Sequence, residues 1–104
     1  MQFGRWYPLD EAGDHTPAGE GVVQVRLARG LLDYPRGKSA MVWYAHAADA
    51  RAAALALAAK HPGVDLLCRH LIEIDPATNL AAFCAKLRVE FVRRFGTPPK
   101  FENP

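Results

Sequence analysis

No apolar run in this sequence is long enough to cross a bilayer, and the opening stretch MQFGRWYPLDEAGDHTPAGEG lacks the basic-then-apolar order of a secretory leader. The expectation is a cytoplasmic protein with no membrane partner. Cysteine is scarce: Cys68 and Cys84 stand inside apolar patterns without CxxC spacing, which leaves zinc or redox chemistry unsupported and makes buried, reduced thiols the simpler reading. Net charge is only +2, too little to mark a strongly basic nucleic-acid binder. Internal repeats and low-complexity segments are absent too. At 104 residues, half of them hydrophobic, the chain suffices for one core but not for two.

Several catalytic motifs are incomplete. Gly37-Lys38-Ser39 invites a phosphate-loop reading, but that loop needs a glycine five positions earlier, where Leu32 stands, and a strand rather than a helix follows. Ser39 has no GxSxG elbow around it. His46 and Asp49 have the identity of metal ligands, yet two ligands do not make a site that needs three or four. His70 follows Cys68 by two residues on one strand face, a spacing that favours packing over a catalytic dyad.

What the chain does carry is an uneven distribution of charge. Arg26, Arg29, Arg36 and Lys38 face only Asp33 in one segment, and Lys86, Arg88, Arg93 and Arg94 face only Glu90 in another. If the fold joins the two stretches they form one electrostatic footprint for DNA or RNA, with Arg36, Lys38, Arg88, Arg93 and Arg94 as candidate phosphate contacts; otherwise they are solvated faces.

Residues 1–20, rich in turn formers, read as an irregular arm pinned to the domain by Trp6, Tyr7 and Leu9. Residues 21–104 read as a single domain. GVVQVRLA alternates as a half-buried strand, with Val23, Val25 and Leu27 on one face and Gln24 and Arg26 on the other. MVWYAHA resumes strand character after a turn-rich connection in which Leu31 to Tyr34 have room for structure of their own. Asp49 caps an alanine-rich helix that Pro62-Gly63 stops. LLCRHLIEI is a third strand with both sides partly covered.

Asp75-Pro76 marks the start of a last helix. Its stripe comprises Leu80, Phe83, Cys84, Leu87, Phe91 and Phe95, widened by Val89 and Val92, and Gly96 ends it. The expected fold is α+β, a small, mainly antiparallel three-stranded sheet with helices packed on it in the order β-β-α-β-α.

Gly21-Val22-Val23 at the start of a hairpin, Trp43-Tyr44-Ala45 on its return strand, HAADAR leading into a helix, and the closing LRVEFVRRFGTPPKFEN together make residues 21–102 resemble the GIY-YIG nuclease superfamily, whose small bacterial members share the Gly-x-x-Pro tail. The resemblance implies metal-assisted phosphodiester cleavage by tyrosines, an arginine and a helix glutamate that binds a divalent ion. Position by position these roles fall on Val23, Trp43, Ala53 and Cys84, none of which can perform them. Slips in alignment bring Tyr44, Arg51 and Glu90 in their place. The resemblance therefore implies a fold kept and a catalytic centre lost, in a noncatalytic domain without a cofactor. One alternative is a weak endonuclease dependent on a divalent metal such as Mg²⁺ and using Tyr44, Arg51 and Glu90. The other is a protein-interaction domain, for instance a homodimer through the alanine-rich helix.

Overall fold

The computed structural model describes residues 1–102, so the last two residues of the expected domain lie outside the described residues. The arm is more regular than its composition implies. It contains β1 (Gln2–Phe3), β2 (Tyr7–Pro8), a 3-10 turn over Leu9–Glu11 and a short helix α1 (Ala12–His15). Then come β3 (Gly21–Leu27), β4 (Leu32–Tyr34), β5 (Gly37–Ser39), β6 (Met41–Ala47), α2 (Ala50–Lys60), β7 (Leu66–Glu73) and α3 (Leu80–Phe95).

The α+β character is as expected, but the three-stranded sheet and the order β-β-α-β-α are corrected. The described residues hold seven strands in two antiparallel sheets. β3, β6 and β7 correspond to the strands legible as alternating or β-branched runs. β1 and β2 add to the outer edge of β7, and β4 pairs with β5 as a separate hairpin. Two-residue strands carry no periodicity of their own; they exist because β7 offers them an unpaired edge.

β3 lies between β6 and β7, with Val23 opposite Ala45 and His70, and Gln24 opposite Tyr44 and Arg69. Between Val25, opposite Trp43, and Arg26, opposite Met41, the register with β6 shifts. Side chains alternate across this sheet, and both faces are covered. One face carries Val23, Val25, Leu66 and Cys68 under α2 and the arm, with Tyr7, Leu9, Ala50, Ala54 and Leu57. The other carries Val22, Tyr44 and Leu71 under Leu80, Cys84 and Phe91 of α3. The expected half-buried strand is therefore buried on both sides, and Gln24 lies inside.

Alanine sets the depth of α2. Asp49 caps it by accepting from the Ala52 amide at 2.9 Å, an interaction of about 1 kcal/mol. Ala50 then approaches so closely that a Cβ on Gly21 would stand 3.2 Å from its own. α3 begins at Asn79, whose side chain accepts from the Ala82 amide at 3.0 Å, and not at Asp75. Asp75 instead closes a turn, accepting from the amides of Ala77 and Thr78.

Val89 and Val92 do not widen the buried stripe. Val89 is 65% exposed because it points almost opposite Phe91 on the helical wheel. Among the described residues no helix is long and apolar enough to cross a membrane.

Candidate nucleic-acid interface

α3 ends in Arg93, Arg94 and Phe95, followed by Gly96 in the left-handed region at φ 88°. The carbonyls of a final helical turn lack intrahelical donors and attract cations. Here part of the missing donation comes from the β4–β5 hairpin. The Arg36 amide donates to the Phe95 carbonyl at 3.1 Å, and Arg36 Nη1 donates to the Arg93 carbonyl at 2.9 Å. Gly96 leaves room for this docking, since a Cβ there would lie 3.1 Å from Pro35 Cβ.

Tyr34 anchors the hairpin from beneath. Its ring meets Phe91 edge-on at 5.0 Å, its hydroxyl donates to the Met41 carbonyl at 2.7 Å, and the Lys100 amide donates to it at 3.2 Å. Only the Arg36–Lys38 part of the first basic stretch thus reaches the end of α3, whereas Arg29 pairs with Asp65 and Arg26 lies elsewhere.

Their charges are not equally free. Lys38 pairs with Asp33 at 3.2 Å and Arg93 with Glu90 at 2.8 Å, both on the surface, where such pairs are worth little and exchange readily for other anions. Arg36 and Arg94 have no carboxylate partner among the described residues; Arg94 lies over the Phe95 ring. Arg88 turns inward, donating to the Tyr44 carbonyl at 2.9 Å and pairing with Glu102. It ties the tail to β6, next to the point where the Phe101 amide donates to the Val42 carbonyl.

Tyr44, Arg51 and Glu90 are not brought together. Tyr44 is buried on the α3 side, edge-on to Phe91 at 6.0 Å, and burial raises its phenol pKa, partly offset by Arg69. Arg51 sits on α2, across the sheet, where its Nε donates to the Thr16 carbonyl at 2.7 Å. Glu90 is exposed, and its hydrogen bonds from Arg93 hold its carboxyl below the ordinary range.

The divalent ion implied by the resemblance does not fit these residues. Cys84, at the position of the helix glutamate, is fully buried with its thiol raised by burial, and Glu90 already has a cation as its partner. Among the described residues no three His, Cys, Asp or Glu side chains gather.

No protein-family model, curated protein or solved structure matches this chain.

Two clusters escape the sequence reading. On the α2 side, the Tyr7 hydroxyl lies 2.7 Å from Thr16 Oγ1, 2.9 Å from His70 Nδ1 and 3.7 Å from Cys68 Sγ. Burial raises the Tyr7 phenol, pushes the Cys68 thiol up to about 11 and lowers His70. The Tyr7 phenol thus stays protonated and shares hydrogen bonds with the Thr16 hydroxyl and the His70 ring. An open depression of about 260 Å³ beside it is lined by Gly4, Arg5, His15 and Ile72 among others.

On the α3 side, Trp6 has the guanidinium carbons of Arg26 and Arg69 at 4.6 and 4.5 Å from its ring centroid. Arg69 also lies 4.9 Å from Phe3 and donates from Nε to Gln24 at 2.7 Å. Alternation in β3 and β7 puts Arg26 and Arg69 each on a definite face. That the two faces coincide depends on strand pairing, and that Trp6 covers both depends on the arm.

Proposed function

We propose that this chain is a noncatalytic module that holds nucleic-acid phosphates on the surface shared by the β4–β5 hairpin and the end of α3. The observation that carries this reading is the hydrogen bond from Arg36 to the Arg93 carbonyl, which gathers Arg36, Lys38, Arg93 and Arg94 against only Asp33 and Glu90. Such a patch suits backbone phosphates, which are recognised by charge and without regard to base sequence. Arg88, committed to Tyr44 and Glu102, acts in this reading as a strut. The noncatalytic part is supported by the separation of Tyr44 and Arg51 on opposite faces of the sheet.

The test is a fluorescence-anisotropy titration of labelled single-stranded and duplex DNA and of RNA at several salt concentrations. Neutralising about four phosphates predicts that affinity falls roughly fiftyfold for single strands and about a hundred-and-fiftyfold for duplex DNA between about 50 and 200 mM salt. Absence of binding at the low end would end this reading. Cleavage of the probes with Mg²⁺ that a Tyr44→Phe variant loses would overturn its noncatalytic part.

A further inference from the structure

Arg26 and Arg69 are diagonal neighbours on adjacent antiparallel strands, for Arg26 faces Leu67 and Arg69 faces Gln24. Both guanidiniums lie against one indole. Neither belongs to an ion pair among the described residues. Arg26 Nε is buried without an acceptor, and Arg69 uses one of its donors on Gln24.

Two permanent cations side by side repel each other, and buried donors without acceptors are uncommon in folded proteins. Burial and the Arg26 charge both work against the Arg69 cation. Contact with the indole and with Phe3 holds the arginines in place without neutralising them. A ligand that brings negative charge and several acceptor oxygens would satisfy both forks at once. A tetrahedral oxyanion offers oxygens in more than one direction, whereas a carboxylate presents two in one plane and fits one fork. Both side chains remain partly exposed, so such a ligand can reach them from solvent.

The geometry points to Arg26 and Arg69, backed by Trp6, as a binding site for a phosphate group. It is built from strand and arm residues and does not depend on the hairpin surface, so it can stand or fall separately from the proposed nucleic-acid contacts. The phosphate could be a free ion, the monoester of a nucleotide, or the diester of a nucleic-acid backbone.

Trp6 reports on its own site. In a Trp43→Phe variant it is the sole tryptophan, and its emission can be followed while inorganic phosphate, adenosine monophosphate or a dinucleoside monophosphate is added at constant ionic strength, with melting temperature of the unmodified protein as a second readout. The expected result is a saturable change with at least one of the three, a rise in melting temperature with the same ligand, and at least tenfold weaker binding in both Arg26→Gln and Arg69→Lys. The tightest of the three ligands identifies the source of the phosphate. Arg26→Gln removes no hydrogen bond within the fold and so guards against loss of structure in Arg69→Lys. No response to any of the three beyond that of sodium chloride, or responses in both variants equal to the parent, would overturn the site.

Discussion

Arg36 and Arg93 are far apart in sequence, yet the guanidinium of the first donates to the backbone carbonyl of the second at 2.9 Å. A turn and a helix end, each only moderately basic alone, become one surface by that contact. Replacing Arg36 with Gln should weaken oligonucleotide binding at low salt and reduce the slope of log affinity against log salt by about one. Parallel titrations of the two proteins check this; an unchanged slope would place the phosphate contacts elsewhere.

Gly96 allows that surface to form. Its φ of 88° is unfavourable for other residues, and an alanine Cβ would crowd Pro35 at 3.1 Å. Gly96→Ala should therefore cost roughly 1 kcal/mol or more in urea unfolding. It should also lower oligonucleotide affinity, since the hairpin must shift from the helix end.

Tyr7 fastens the arm to the sheet through the most heavily hydrogen-bonded side-chain hydroxyl of the described residues. Tyr7→Phe keeps the ring but leaves Thr16 and His70 without this partner in a largely buried setting. A loss of about 1–3 kcal/mol follows, measurable by chemical denaturation. Oligonucleotide binding should be preserved under folding conditions, because Tyr7 lies on the α2 side and the hairpin surface on the other.

His70 makes stability depend on pH. Burial, followed by the charge of His15, lowers its pKa from the ordinary 6.5, so the unfolded chain takes up the proton first as pH falls. Stability contributed by neutral His70 is complete above about 6.5 and declines as pH drops through that value toward the lower folded pKa. Urea midpoints should fall across this window in the parent, and less steeply in His70→Gln.

The long elements were legible because each has a local cause. Val23, Val25 and Leu27 alternate, Asp49 supplies a cap, and the stripe from Leu80 to Phe95 repeats at helical spacing. The start of α3 was misplaced because Asp75-Pro76 and Asn79 both carry N-cap chemistry, and the choice between them falls to the turn that Asp75 closes. β1 and β2 could not be read, for their cause is the open edge of β7 and not their own residues. Site residues divide in the same way. Arg36, Arg93 and Arg94 are visible as local excesses of charge, whereas the pairing of Arg26 with Arg69 under Trp6 requires three distant segments to meet.

Whether the hairpin turn and the end of α3 form one phosphate-binding surface can be read from backbone amide resonances while a short single-stranded oligonucleotide is added at low salt. The largest shifts are expected to cluster at Arg36, Gly37, Lys38 and Arg93 through Gly96. Shifts centred on α2, or none at saturating oligonucleotide, would contradict it.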